Sequence, residues 1–130
     1  MSEGKLDVVL VPQGTLAEQI RAGGAGLGGV LTPTGLGTVV EDGKTIVDVD
    51  GTPYLLEKAL KADIALVEAR AADALGNLVY DKTARNFNPV MASACECVYA
   101  LVGERVKSLD PEIVVTPHVF VDYLIEEDRR

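Results

Sequence analysis

Apolar residues fall into short blocks along the chain, broken by glycine, proline and two Asp-Gly pairs. Asp7–Val11 (DVVLV) is a compact β-branched block, the pattern of a buried strand. Thr15 followed by Glu18 matches a capping box, so Thr15 is expected to cap a helix running from Leu16 to about Ala22. Gly23 and Gly24 are expected to end it in left-handed backbone. Further on, Asp42-Gly43 and Asp50-Gly51 sit between β-rich runs. They predict a hairpin meander with strands near Thr38–Glu41, Thr45–Val49 and Pro53–Leu56. Ala62–Ala69 reads as another buried strand, and Gly76-Asn77 as a turn before a short one. Asn88-Pro89 predicts a helix start, with Asn88 as cap and small residues along Val90 to about Glu96. Strands are expected at Tyr99–Val102 and Ile113–Thr116, then a last apolar run at Val119–Ile125 and a solvated acidic and basic tail.

This order predicts a single α/β domain over residues 1–130. Its core is an open, mainly parallel sheet, with the antiparallel meander inserted. The length is enough for one domain with a core of its own.

Charge narrows the possible partners. The net charge is −8 and no basic stripe occurs, which argues against nucleic acid and against an anionic membrane. No apolar run is long enough to span a bilayer, and the first residues lack the pattern of a signal peptide, so a cytoplasmic location is expected. Cys95 and Cys97 lie too close for a disulfide framework, and with the lone His118 they do not make up a four-ligand metal set. Buried free thiols and no metal are expected. His118 and the tyrosines Tyr80 and Tyr123 read as structural, the tyrosines as core aromatics with bonded hydroxyls.

The segment Gly23–Thr38 holds seven glycines in sixteen residues and no charge. Gly24, Gly26 and Gly29 spell G-x-G-x-x-G, but a dinucleotide fingerprint must leave a strand and open a helix. Here the glycines follow a helix and lead into Pro33. An uncharged glycine run implies backbone packed against a ligand, another chain or another part of the fold. The better oxyanion site lies upstream, at Pro12–Thr15, where a strand is expected to give way to a helix N-terminus.

The segments VPQGTLAEQIRAGGAGLGG, LTPTGLGT, TPYLLE, GNLVY, TARNFNP, VTP and VFVDY occur in this order. Together they resemble the alpha subunit of the two-subunit, family I CoA-transferases over about Lys5 to Ile125. The acetate/butyrate–acetoacetate type, related to succinyl-CoA:3-ketoacid CoA-transferase, is the nearest likeness. The resemblance implies exchange of CoA between a short-chain acyl-CoA and a carboxylic acid such as acetoacetate. The route implied is a glutamyl-CoA thioester on a partner beta subunit, with CoA as substrate and no further cofactor. The catalytic glutamate of the family lies in the beta subunit in a Glu-x-Gly motif. Glu41-Asp42-Gly43 matches by letter but is read as a hairpin turn, so no catalytic residue is expected in this chain. The family's alpha subunit also begins with a segment carrying a Gly-Gly-Phe loop, which has no counterpart here. The chain therefore resembles the C-terminal part only, and alone it is expected to be inactive.

By resemblance, Gln13 and Gly14 face the acyl substrate, and Gly24, Ala25 and Gly26 flank its pocket. Val30 stands where many relatives carry Phe, which implies a roomier pocket. Thr83–Asn88 matches the family's TARNFN segment. In it, Arg85 is a candidate for a carboxylate or a CoA phosphate, or equally for an ion pair, and Asn86 for a loop or a binding role. The implied partners are a beta subunit, the remaining N-terminal part of an alpha subunit, or further copies, since an incomplete sheet would expose an edge. The other reading is a non-catalytic module that binds a beta subunit or itself without turnover. A sugar-phosphate isomerase-like enzyme is a weaker alternative, disfavoured by the absence of a basic cluster.

Overall fold

The computed structural model describes Gly4 and residues 8–126. Helix α1 covers Gln13–Gly24, and strands β1 (Gly29–Thr32), β2 (Thr45–Val49) and β3 (Thr52–Lys58) follow. These three form an antiparallel sheet in the order β1-β3-β2. A second sheet has the order β5-β4-β6-β7, from β4 (Ala62–Ala72), β5 (Leu78–Val79), β6 (Cys95–Arg105) and β7 (Tyr123–Glu126). Strands β4, β6 and β7 run parallel, and the short β5 is antiparallel to β4. Helix α2 (Asn88–Ser93) sits between β5 and β6 in the chain. The expected α/β architecture, with a parallel sheet and a separate antiparallel part, is what the chain adopts.

Strict alternation in β4 shows how the sequence builds this sheet. Ala65, Val67, Ala69 and Ala71 are buried, while Ile64, Leu66, Glu68 and Arg70 between them are exposed. In β6, Val98, Ala100 and Val102 point the same way as the buried set. The small alanines on that face let α2 approach closely, and Ala92 and Met91 pack against them. Leu78 and Tyr80 complete this core. The Tyr80 hydroxyl is 2.7 Å from Thr116 Oγ1. Burial raises the Tyr80 pKa, and the bond to Thr116 offsets part of the rise.

Among the described residues, nothing covers the opposite face. Ile64, Leu66, Leu101, Tyr123 and Ile125 are all exposed there. Tyr123 is therefore no core aromatic; its ring stacks on Tyr99 with centroids 4.6 Å apart.

The hairpin between β2 and β3 follows its turn chemistry. Asp50 (φ 52°) and Gly51 (φ 79°) both take left-handed backbone, as a two-residue hairpin requires, and Gly51 N–H donates to Asp48 Oδ1 at 2.9 Å. The expected strand at Thr38–Glu41 does not form. That segment closes on itself through Thr38 N to Gly35 O and Glu41 N to Thr38 O, and the Glu41 carboxylate accepts from Gly37 N at 2.6 Å. Asp42-Gly43 is thus a turn but not a hairpin. The third strand of the meander comes instead from inside the glycine-rich run, as β1, paired with β3 from Gly29↔Lys58 to Thr32↔Leu55.

Four other expectations change. Val8–Val11 is not a strand, and Val9 and Leu10 are exposed; Asp7 lies outside the described residues. The helix expected to reach Glu96 ends at Ser93, and Cys95 and Glu96 start β6 instead. Ile113–Thr116 gives only a single bridge, Leu78↔Thr116, because Asp110 caps a 3-10 turn over Pro111–Ile113. The run Val119–Ile125 divides into a 3-10 turn at His118–Phe120 and strand β7. Of the tail, Glu126 closes β7 and is exposed, and residues 127–130 lie outside the described residues.

A buried carboxylate fixes the loop after β4. Asp73 accepts from the backbone amides of Leu75, Gly76 and Asn77, each at 3.0 Å, and from Asn77 Nδ2 at 2.9 Å. Burial by itself would raise its pKa. The side-chain bond from Asn77 and the amides of Asn77, Leu75 and Leu109 outweigh that and hold Asp73 below the ordinary value of 3.8. His118 joins the same corner: its amide donates to Asn77 Oδ1 at 2.9 Å, and its ring Nδ1 lies 3.2 Å from the same oxygen.

Candidate functional site

Pro12 precedes α1 with no amide to donate and no capping side chain. The first intrahelical bond is Leu16 N to Pro12 O at 2.9 Å. The amides of Gln13, Gly14 and Thr15 are therefore without intrahelical partners. Gln13 and Gly14 are exposed, and among the described residues no partner takes the amides of this turn, so it presents N–H groups and a side-chain amide to whatever approaches. Thr15 is not the N-cap that its spacing to Glu18 suggested. It lies inside the helix and is buried, and no side chain caps the helix start. Glu18 pairs with Arg21 instead, at 3.2 Å on the exposed side.

At the other end, α1 runs two residues beyond the expected stop. Gly23 and Gly24 are helical, and the left-handed residue is Gly26 (φ 73°), after the Ala25 C-cap. Gly23 and Gly24 serve close packing. A β-carbon on Gly23 would lie inside the shell of the Leu60 carbonyl oxygen, and one on Gly24 would press into Ser93 of α2. Gly29 has the same relation to Glu57 O across the β1–β3 pair. The backbone of the glycine run is thus packed against another part of its own fold. Its G-x-G-x-x-G leads from a helix into a strand, the reverse of a dinucleotide fingerprint.

These placements separate the expected site residues. From Gln13 to Gly24 the helix rises roughly 16 Å, at about 1.5 Å per residue. Gln13 and Gly14 lie at one end of α1, and Gly24, Ala25 and Gly26 at the other. Gly24 and Gly26 border a cavity of about 280 Å³ with Lys61, Asp63, Ser93 and Cys95. Val30 is half-buried in β1 opposite Glu57, away from that cavity. Burial raises the Cys95 pKa above its usual 9.0, so the residue stays a thiol and is a poor nucleophile. Both cysteines are free, and half-buried rather than buried. Among the described residues, no group of three His, Cys, Asp or Glu is placed to hold a metal ion.

The TARNFN segment has a structural use that its sequence did not disclose. Asn88 is the first helical residue, not the cap. Its Nδ2 donates to Ala84 O at 2.8 Å, and its Oδ1 accepts from Glu68 N at 3.3 Å, tying α2 to the edge of β4. Arg85 is exposed and forms no ion pair among the described residues; the ion pair in this region is Arg70–Asp81 at 3.0 Å. Arg85 borders a cavity of about 360 Å³ with Arg70, Asp81 and Glu112. Asn86 ends the short 3-10 turn, its amide bonded to Thr83 O. A cavity of about 500 Å³ lies beside it, lined by Glu68, Arg70, Asp81, Lys82, Thr83 and Asn88. Lys82 holds φ 48° there, a conformation that disfavours residues with a side chain. Sequence reading missed this cavity, because Lys82 and Arg70 are distant in the chain and meet only through the β4–β5 turn.

A second feature without a local sequence signal is a buried ion pair. Glu57 in β3 is 3% exposed. It accepts from Lys44 Nζ at 2.6 Å and from Gln19 Nε2 of α1 at 3.2 Å. This contact joins the helix that carries Gln13 to the meander sheet.

A family model for coenzyme A transferase matches residues 1–127. The chain is 54% identical over 127 residues to the acetate CoA-transferase subunit alpha of Escherichia coli K12, covering 96% of this chain and 58% of that one. It is 49% identical over 125 residues to the acetoacetyl-CoA:acetate/butyrate CoA transferase alpha subunit of Clostridium acetobutylicum, covering 95% and 57%. A solved acyl-CoA transferase from Escherichia coli O157:H7, captured as a thioester complex with CoA, superposes with a TM-score of 0.80. It is 27% identical, over 92% of this chain and 28% of that one. The chain spans little more than half the length of the curated relatives it matches. Among the described residues, no helix is long and apolar enough to cross a membrane.

Proposed function

The chain belongs to the coenzyme A transferase family, and from that premise we propose that it forms part of an alpha subunit that moves CoA between a short-chain acyl-CoA and a carboxylic acid such as acetoacetate. The observation that carries the proposal is the 54% identity to an acetate CoA-transferase alpha subunit across nearly the whole chain. The exposed, amide-bearing start of α1 supplies the chemistry.

In this reading a glutamate of a partner beta subunit attacks the acyl-CoA carbonyl carbon. The CoA thiolate leaves and a mixed anhydride forms. The thiolate then attacks the glutamyl carbonyl, the product carboxylate departs, and a glutamyl-CoA thioester remains. The acceptor acid repeats both steps in reverse. Each attack drives negative charge onto a carbonyl oxygen. In this reading the amides at the α1 N-terminus and the Gln13 side chain donate to such an oxygen, with the helix dipole adding to the field. The α1 C-terminus, at Gly24 and Gly26, borders a cavity of its own.

The test is reconstitution. This chain, a beta subunit and the remaining alpha segment of a relative are combined, and acetoacetyl-CoA formation is followed by absorbance. Activity above that of the other parts alone is expected, and Gln13→Ala should lower kcat by about 10- to 100-fold, in the range of one lost oxyanion donor or somewhat below it. Assembly without turnover would replace this reading with that of a binding module. An unchanged kcat in Gln13→Ala would remove Gln13 from the site.

A further inference from the structure

Helix α1 is fastened unevenly. Over its first turns, Gln13–Ala17, only Thr15 is buried. The tight contacts gather at the other end, where Gly23 lies against the Leu60 carbonyl and Gly24 against Ser93. Gln19 stands between these two regions and is held twice. Its carbonyl accepts from Leu60 N at 2.9 Å, and its side-chain Nε2 donates to Glu57 Oε2 at 3.2 Å. The Gly23 contact and the backbone bond both rest on Leu60, beyond the end of β3. The Glu57 bond adds a separate point of attachment from within that strand.

Glu57 is itself fixed. It is buried, and its other oxygen, Oε1, accepts from Lys44 Nζ at 2.6 Å. Each carboxylate oxygen therefore has a named partner. Lys44 in turn ends a loop that closes on itself. Its amide donates to Glu41 O at 3.0 Å, and the Glu41 carboxylate accepts from Gly37 N. One chain of bonds thus runs from the LTPTGLGT segment through Lys44 and Glu57 to Gln19 in the helix. An apolar pair of similar volume often stabilises a fold as well as a buried ion pair does. What the polar contacts add is a narrow range of distance and angle.

We infer that Glu57 is a positioning residue for the transfer, an inference that rests on the oxyanion role proposed for Gln13. By holding Gln19, Glu57 sets the tilt of α1 and so the place of the Gln13 side chain. The lever is long. Gln13 lies roughly 16 Å along the helix from Gly24, so a tilt of about 4° around that end carries it about 1 Å. Where a group must meet a developing charge, a displacement of about 1 Å can cost on the order of 100-fold in rate. The Leu60 bond to Gln19 O remains when Glu57 lets go, so the expected loss is smaller, about tenfold.

Gln19→Met removes the bond and keeps a good helix former of similar length. Glu57→Gln keeps a side-chain oxygen that can accept from Gln19. In the chain itself, residual dipolar couplings of the α1 amides read the helix tilt. Gln19→Met should turn the helix by about 4°, the angle that moves Gln13 by about 1 Å, and Glu57→Gln by less than half as much. An unchanged tilt in Gln19→Met overturns the inference. In the reconstituted enzyme, Gln19→Met should lower kcat and kcat/KM together by about tenfold, with KM unchanged, as for an interaction made only in the transition state. Glu57→Gln should stay within about threefold of the parent. The loss from Gln19→Met should shrink to about threefold or less once Gln13→Ala is present, since a misplaced side chain costs nothing further after it has been removed. A full tenfold loss in that background overturns the inference, because Glu57 would then act by another route. Gln13→Ala alone separates the two readings. If it leaves kcat unchanged, the oxyanion role falls and takes the positioning role with it. If it lowers kcat while Gln19→Met does not, the oxyanion role stands and the positioning role is overturned.

Discussion

Replacing Gly23 with alanine should destabilise the chain by about 2 kcal/mol, although alanine is the better helix former. Gly23 is buried in the last turn of α1. An added methyl would meet the Leu60 carbonyl oxygen within van der Waals contact and stand 3.0 Å from its carbon. That neighbour is backbone, and Leu60 N is bonded to Gln19 O at 2.9 Å, so it cannot rotate aside. Overpacking against a rigid group costs about 3 kcal/mol, the upper part of the usual range. Helix propensity returns about 1 kcal/mol. The net change corresponds to a fall in Tm of roughly 8 °C for a chain of this size. Gly14→Ala is the matched control. It lies in the first turn of the same helix, is exposed, and an added β-carbon meets nothing within 4 Å. It should be neutral or stabilise by up to about 1 kcal/mol. Urea unfolding followed by circular dichroism measures both, and amide exchange at Leu60 reports whether the Leu60–Gln19 bond has shifted. Equal stability of the two variants would refute the packing account and return the glycine run to the status of a loop. In the reconstituted enzyme the order should reverse in part, because Gly14→Ala crowds the α1 N-terminus and should reduce activity without reducing stability.

Lys44→Met strands the Glu57 carboxylate, 3% exposed, with Gln19 as its remaining partner; a loss of about 2–3 kcal/mol is expected by denaturant unfolding, and adding Glu57→Gln should recover much of it. An undisturbed Lys44→Met would mean that the pair is not desolvated in solution. For Asp73 the folded pKa is lowered, so the unfolded state binds the proton more readily, and the stabilisation is present above about pH 4 and lost as pH falls through the folded value. Asp73→Asn should cost about 1–3 kcal/mol at pH 7, and its deficit against the parent chain should shrink as the pH falls below the ordinary value of 3.8. A deficit that stays constant down to pH 2 would count against the charged network.

Much of the chain's local order is legible from side-chain period and turn chemistry. The β2 strand and its Asp50-Gly51 turn form as read, because both are fixed by residues adjacent in the chain. Strand β4 was legible as well, short only of its last three residues. Errors fall where a local signal competes with a distant contact. The Thr15–Glu18 spacing is that of a cap, yet Thr15 is drawn into the interior while Pro12 starts the helix. Gly23 and Gly24 are by composition helix stops, yet they stay helical because Leu60 and Ser93 leave room only for hydrogen there. Val8–Val11 has the composition of a strand but no partner in the described sheet, and composition alone makes no hydrogen bonds.

The candidate site divides along the same line. Motif order in the sequence was enough to indicate the coenzyme A transferase family and to single out Gln13, since both depend on which residues stand next to each other. Only the tertiary structure places Gln13 and Gly24 at opposite ends of one helix, joins Glu57 to Lys44 and Gln19, and leaves Ile64 and Leu66 on a sheet face that nothing covers among the described residues. Such facts depend on which surfaces meet. Alternation marks Ile64 and Leu66 as lying on one face of a strand, but whether that face is covered depends on what packs against it, and that no local pattern records.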